Sequence, residues 1–239
     1  MTKQPAPLAY AIIPARSGSK RIPRKNIRDF HGKPLIQWPI ATLVESRMFE
    51  KVIVSTDSPD ISKIAQEAGA EVPFVRPAIL ADDHSTTVAV ARHAISRLLE
   101  DGAPQDSLFC VVYPAAVMIE ASDFEAGRKM LGVSGDLIFC GSEFPAPIER
   151  AWFVNGNGTA EPLYPGSQHS RTQDLRAAHY DAGQFYWGKA DAWNALDEGK
   201  HVRRGAYVIP SWRATDIDTE ADWALAEKLF LSRKSGHPK

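Results

Sequence analysis

The chain has 239 residues, 44% apolar and 24% charged, with a formal net charge of −1. That composition excludes a disordered chain, a collagen-like repeat and a disulfide scaffold, and the charge excludes a global nucleic-acid or membrane polycation. The length suits one α/β domain with room for a small insertion, not two full domains.

Residues 9–14 (AYAIIP) and 51–56 (KVIVST) are continuously apolar, as strands buried on both faces are. Between them, 34–48 has apolar residues at helical spacing, with Pro34 at the first helical position and Pro39 as an expected kink. A helix over 59–69 stops at Gly69. Next come a short strand at 71–75, an amphipathic helix at 86–100 and a strand at 107–113. A helix at 122–131 capped by Ser122 and a strand at 137–142 follow. Such βαβα order predicts a mostly parallel sheet with helices on both faces.

From 145 to 183 the chain is rich in Pro, Gly, Asn and Gln, and its apolar residues are scattered. A structureless loop of that length is unusual in a compact domain, so an inserted β-rich subdomain or a partner-binding arm is expected. The main pattern resumes at 184–187, with a helix from about Lys189, a strand at 207–210 and a helix at 220–231 capped by Thr219. The expected division is a nucleotide-binding α/β core over 1–143, an arm over 144–183, the rest of the core over 184–231 and a frayed tail over 232–239. Cys110 and Cys140 lie in buried strands without CxxC or His partners, so inert thiols are expected. No basic leader or run of about 18 apolar residues occurs, which predicts a cytoplasmic chain without a membrane partner.

The near-zero net charge hides a local excess. From Arg16 to Lys33 there are seven Lys or Arg against one acid, Asp29, a local charge of +6. The segment Ala15-Arg16-Ser17-Gly18-Ser19-Lys20-Arg21 follows the first strand, and Gly18 can take a positive φ. Backbone N–H groups in such a turn, with Arg16, Lys20 and Lys25 adding charge, form a phosphate cradle where open α/β sheets bind ligands. Neither GxxxxGK[ST] nor GxGxxG is present, which counts against a kinase-like ATPase and a dehydrogenase.

The second signal is Asp216-Ile217-Asp218-Thr219-Glu220-Ala221-Asp222. Extended backbone points Asp216 and Asp218 the same way, and two hard carboxylates suit Mg²⁺ that also takes phosphate oxygens and water. Asp222 falls in the first turn of the closing helix, where an acid meets the helix dipole favourably.

Together, IIPARSGSKRIPRKNI, HGKPLI, VIVSTD, VPFVRP and DIDTEADW resemble the CMP-sugar synthetases, cytidylyltransferases of nine-carbon and related acidic sugars, from Ala11 to about Glu227. Arg171-Thr172-Gln173-Asp174-Leu175, followed by Asp181-Ala182-Gly183-Gln184-Phe185-Tyr186-Trp187-Gly188, is similar to the pseudaminic acid branch. The resemblance implies a Rossmann-like three-layer, mostly parallel sheet of the nucleotide-diphospho-sugar transferase type, with a small dimerisation insertion. It also implies CTP and an acidic nine-carbon sugar as substrates, Mg²⁺ as cofactor and a homodimer with no nucleic-acid partner.

Residue by residue, Arg16, Lys20, Lys25 and Asn26 match positions around the CTP phosphates, and Ser17 and Gly18 belong to the same loop. Arg76 matches an arginine near the cytosine, and Thr87 lies near a position lining the nucleotide or sugar site. Asp216 and Asp218 match Mg²⁺-binding aspartates and, with Lys20, form the implied catalytic set. Arg171 matches a cation toward the sugar carboxylate, and Asp181, Gln184 and Tyr186 are candidate sugar contacts. For Gln184 and Tyr186 a core-strand role stays equally open.

Two departures bear on the sugar. Tyr113-Pro114-Ala115-Ala116-Val117-Met118 stands where the family commonly has a Pro-Thr-x-Pro type segment, and His179-Tyr180 precedes Asp181 where a His directly beside the Asp is expected. The implied reaction joins CTP to a nonulosonic acid, pseudaminic acid foremost, and releases pyrophosphate. Alternatives are synthesis of CMP-N-acetylneuraminate, CMP-legionaminate or CMP-Kdo, or a weakly active nucleotide-binding homologue.

Overall fold

Strand β1 (Ala9–Pro14) places Ala11 and Ile13 in one apolar cluster and Tyr10 and Ile12 in another. A strand buried on both faces offers no polar position, hence its unbroken apolar run. The computed structural model describes residues 6–167 and 170–234 and builds a six-stranded sheet around β1.

A small hairpin, β2 (Asp29–Phe30) and β3 (Lys33–Pro34), leads to α1 (Gln37–Ser46), β4 (Lys51–Ser55), α2 (Pro59–Glu67) and α3 (Thr87–Glu100). Then come β5 (Leu108–Val112), α4 (Ala121–Met130) and β6 (Leu137–Glu143). A second hairpin, β7 (Trp152–Val154) and β8 (Ala160–Pro162), precedes β9 (His179–Lys189), α5 (Ala190–Asp197), β10 (Arg204–Ile209) and α6 (Glu220–Lys234).

The sheet order is β10-β6-β9-β5-β1-β4. β1 runs parallel to β4 and β5, and β10 parallel to β6, while β9 is antiparallel to both its neighbours. Ile40 and Leu43 of α1, Ile61 of α2 and Phe124 of α4 cover one face; Ala91 and Ile95 of α3 and Trp193 of α5 cover the other. The result is three layers.

The chain passes from β1 to β4 on one side and later to β5 on the other, so strand order reverses at β1. Ligands of open α/β sheets bind in the crevice at the carboxyl end of such a reversal. A third apolar cluster joins Ile22, after β1, and Val117 and Met118, after β5, to Ile217, Trp223 and Phe230. At its centre Phe30 lies edge-on to Trp223 (5.4 Å) and Phe230 (5.3 Å). Each fully buried large side chain is worth about 1.5–3 kcal/mol, so this cluster can hold three separate segments in one place.

Some boundaries differ from the sequence expectation. Pro34 pairs with Asp29 in the β2–β3 hairpin and does not open a helix. α1 starts at Gln37, which puts Pro39 in the first turn, where a missing N–H breaks no helical bond and no kink is needed. The 71–75 segment is not a strand; single bridges tie Glu71 to Ile53 and Val75 to Thr56. Ser122 sits inside α4, because the helix is capped two residues earlier by Glu120, which forms a capping box with Asp123. Thr219 does cap α6, accepting from the Asp222 N–H at 3.2 Å while Asp222 accepts from the Thr219 N–H at 2.8 Å.

β9 begins at His179, so 179–183 of the expected arm are sheet: His179, Tyr180 and Asp181 pair with Glu143, Ser142 and Gly141. Residues 232–234 of the expected tail are helical, and 235–239 lie outside the described residues. Cys110 and Cys140 are buried free thiols whose ionisation burial pushes up.

Candidate active site

Leaving β1, the chain is tied to β4 by the Ala15 N–H, which donates to the Ser55 carbonyl at 2.9 Å. The loop closes on itself where the buried Asn26 amide donates to the Arg16 carbonyl at 3.0 Å. Ile22 points into the third cluster, and Arg24, not Gly18, supplies the left-handed residue, at φ 54°. With Ile22 anchored below, Arg16, Lys20, Arg21 and Lys25 are left lining a cavity of about 220 Å³.

The acidic segment meets this loop directly. Asp218 pairs with Arg21 at 2.7 Å and with Lys25 at 3.3 Å, and the Lys25 ammonium donates to the Ile217 carbonyl at 2.6 Å. Just beyond, Arg28 pairs with Glu220 at 2.6 Å and lies 4.3 Å over the Trp223 ring. From 213 to 218 burial alternates: Arg213, Thr215 and Ile217 are buried, while Asp216 is exposed and Asp218 half-buried. The two aspartates thus share the outward side of an extended strap, as the sequence alternation predicts.

Among the described residues no cluster of three or more His, Cys, Asp or Glu is arranged to hold a metal. A site of two carboxylates still fits Mg²⁺, which completes its octahedron with substrate phosphates and water. Crowding by the protein and then the charge of Asp218 raise the Asp216 pKa. A raised carboxyl pKa means the folded chain binds that proton more tightly, so the stability it contributes is full below the unfolded pKa and is lost as pH rises through the folded value. Asp216→Asn is therefore expected to melt higher than the parent chain at about pH 7, with the gap closing toward about pH 4. Thermal melts of the metal-free proteins across that range check this.

Other walls come from further along the chain. Arg76 is 4% exposed; its Nε donates to Ser55 Oγ at 3.2 Å and its Nη2 to the Ser55 carbonyl. No carboxylate lies within ion-pair distance of it among the described residues, and burial lowers its pKa to about 10 despite the charge of Asp57. Thr87 opens α3 at the cavity and shares a hydrogen bond of 2.9 Å with the Tyr113 hydroxyl. Tyr113 packs 5.9 Å from Tyr186, whose hydroxyl donates to both oxygens of Asp181 at 2.9 and 2.8 Å.

The β6–β9 register breaks here: Gly141 faces Asp181 but Phe139 faces Tyr186, so β9 bulges over 182–185. Gly183 adopts φ +60° in the bulge, and a Cβ there would lie 3.7 Å from the Asp216 carboxylate. The bulge thereby brings the end of β9 beside the strap.

Of the expected site residues, Arg16, Lys20, Lys25, Asn26, Arg76, Thr87 and Asp218 line one cavity. Asp216, Asp181 and Tyr186 lie beyond its lining, Asp216 beside Gly183 and Tyr186 on Asp181. Ser17 is turned away: its N–H and hydroxyl both donate to Asp57, at 3.0 and 2.6 Å. Gly18 has open space around it and does not line the cavity. Gln184 is buried, its amide donating to the carbonyls of Ala182 (2.8 Å) and Thr215 (3.3 Å), so it braces the strap from behind. Arg171 is exposed on the arm, away from the cavity lining.

Sequence inspection passed over three acids. Asp83 bridges Arg16 (2.5 Å) and Lys20, whose contacts lower its pKa, and the neighbouring Asp82 carbonyl accepts from Arg16 at 3.0 Å. Asp57 holds Ser17, and those bonds lower its pKa against the opposing effect of burial. Asp57 stands in the quoted VIVSTD segment at the carboxyl end of β4, a position that could have marked it.

A family model described as cytidylyltransferase matches residues 10–104. The chain is 37% identical over 219 residues to a pseudaminic acid cytidylyltransferase of Campylobacter jejuni, covering 92% of this chain and 94% of that protein. It is 29% identical over 231 residues to a CMP-N,N'-diacetyllegionaminic acid synthase of Legionella pneumophila, covering 92% and 95%. A CMP:2-keto-3-deoxy-manno-octonic acid synthetase solved with CTP shares the fold, with a TM-score of 0.70 at 17% identity over 95% of this chain and 99% of that one. The chain belongs to the cytidylyltransferase family, on the branch that includes the pseudaminic acid cytidylyltransferases.

Proposed function

We propose that the chain transfers a cytidylyl group from CTP to the anomeric hydroxyl of a nonulosonic acid, pseudaminic acid in preference to others. The oxygen–phosphorus bond forms at the α-phosphorus, the bond to the β-phosphate oxygen breaks, pyrophosphate leaves, and the hydroxyl proton passes to solvent. The observation that carries this reading is the meeting of Arg21 and Lys25 with Asp218 at one cavity, cations for phosphates beside a carboxylate for their metal. The 37% identity to the Campylobacter jejuni protein supports the choice of sugar.

In this reading Arg16, Lys20 and Lys25 bind the triphosphate and neutralise the departing pyrophosphate, and Asn26 holds the loop in shape. Arg76 supplies a buried positive charge that an anion or carbonyl of the nucleotide satisfies. Asp216 and Asp218 would hold Mg²⁺, which supplies charge neutralisation and acidifies the attacking hydroxyl. Tyr113, Tyr186 and Asp181 form the polar wall facing the second substrate. Such chemistry needs positioning and charge more than covalent help. CTP is made in the cytoplasm, and we place the reaction there; no helix among the described residues is long and apolar enough to cross a membrane.

Pyrophosphate release with CTP, Mg²⁺ and a panel of acids tests the reading. Pseudaminic acid is expected to turn over fastest. Faster turnover of N-acetylneuraminate, legionaminate or Kdo overturns the choice of sugar. Tight CTP binding without turnover of any acid favours the nucleotide-binding homologue.

We also infer a homodimer in which the 144–183 arm reaches the partner's site. Trp152, Phe153 and Val154 are 52%, 62% and 71% exposed on the arm, an apolar row that a second copy would cover. Arg171, away from its own cavity lining, is then available to a sugar carboxylate across the interface. Trp152→Ser with Phe153→Ser is expected to elute as a monomer by size exclusion with light scattering, against a dimeric parent. A monomeric parent contradicts the inference.

A further inference from the structure

Arg213 does not line the cavity. It is buried at the end of the turn Ser211–Arg213, three residues before Asp216. Its Nε and Nη2 donate to the Met118 carbonyl at 3.1 and 3.0 Å, its Nη1 donates to Asp123 Oδ1 at 3.2 Å, and Nη2 also meets Asp123 Oδ2. Asp123 is 1% exposed and also accepts from the Tyr207 hydroxyl at 2.9 Å and the Glu120 N–H at 2.7 Å.

One guanidinium therefore joins three pieces. Met118 belongs to the segment whose Tyr113 and Pro114 line the cavity; Asp123 belongs to the first turn of α4; Arg213 itself begins the strap. The strap is held further along by Gln184 on the Thr215 carbonyl, by buried Ile217 and by Lys25 on the Ile217 carbonyl. Because its side chains alternate, a slip of one residue at Arg213 would turn both aspartates inward. A buried ion pair is often no more stabilising than apolar packing of the same volume, so stability alone does not explain these residues. What a planar fork bound to a carboxylate and a carbonyl adds is direction.

We propose that Arg213 and Asp123 are a positioning pair that sets the register of the 213–218 strap and so aims Asp216 and Asp218. The inference rests on the metal-holding reading of those two aspartates. It is tested by Mn²⁺ affinity in the presence of CTP and absence of sugar, read from the paramagnetic signal of free Mn²⁺, alongside metal-free CTP affinity by calorimetry. Arg213→Lys keeps the charge and loses the fork. Its Mn²⁺ affinity is expected to fall about tenfold, as is kcat, while metal-free CTP affinity and the KM for CTP stay within about twofold.

Because a lone change at a buried pair can unfold the chain, Arg213→Met combined with Asp123→Asn serves as the second variant. It removes both charges and is expected to melt near the parent temperature yet still bind Mn²⁺ about tenfold more weakly. Recovery of parental Mn²⁺ affinity in this double variant overturns the proposal and makes the pair a structural bond only. Asp218→Asn is the control: if it keeps parental Mn²⁺ affinity, the metal-holding reading itself fails, and the purpose assigned to Arg213 goes with it.

Discussion

Asp218→Asn is expected to lower kcat by about 10³-fold while metal-free CTP binding holds or tightens. Asp218 stands between Arg21 and Lys25, with its carboxylate taking charge from both cations. An amide of the same shape leaves the strap in place, since Ile217 remains buried and its carbonyl keeps the Lys25 bond. The cations, freed of a carboxylate, are then more available to phosphate. Losing the metal-holding carboxylate while keeping the phosphate cradle separates kcat from affinity, which a general loss of fold does not do. Steady-state kinetics with calorimetric CTP binding checks both halves. Retained turnover removes Asp218 from the catalytic set.

Arg76→Met is the second large effect: CTP affinity is expected to fall about 30-fold or more while thermal stability is unchanged or rises. Burying a guanidinium without a carboxylate is costly, and Met fills much of the same volume without that cost. The Ser55 carbonyl keeps a donor, because the Ala15 N–H bonds it at 2.9 Å. A residue that burdens the empty fold and helps the loaded one is what a binding site produces, whereas a structural arginine shows the opposite sign. A stability loss with unaltered CTP affinity assigns Arg76 to the core instead.

Both charged segments were legible in the sequence because each is local. The cations of 16–33 are consecutive enough to count, and alternation over 213–218 needs only a period of two. Placing the first at a sheet's carboxyl end needed only the apolar run of β1 and the crevice rule. Partners distant in the chain were not legible. Asp83 is 67 residues from Arg16, Asp57 is 40 from Ser17 and Asp123 is 90 from Arg213, and no local period marks such pairs. The order of strands escaped for the same reason. Periodicity shows that β9 is buried but not that it inserts antiparallel between β5 and β6, or that its bulge carries Gly183 to Asp216. Ser17 is expected at the phosphates because it belongs to the basic loop, yet the fold turns it to Asp57. Gln184, for which a core-strand role stood open beside a sugar contact, takes the core role and braces Thr215.

The net charge of −1 thus conceals a +6 loop and an acidic strap that meet at one cavity. Phosphorus NMR of CTP with pseudaminic acid, Mg²⁺ and the full chain tests that account most directly. The triphosphate signals should give way to one CMP phosphodiester and an equal amount of pyrophosphate. CTP that persists although bound, or that decays to CDP and inorganic phosphate, would contradict it.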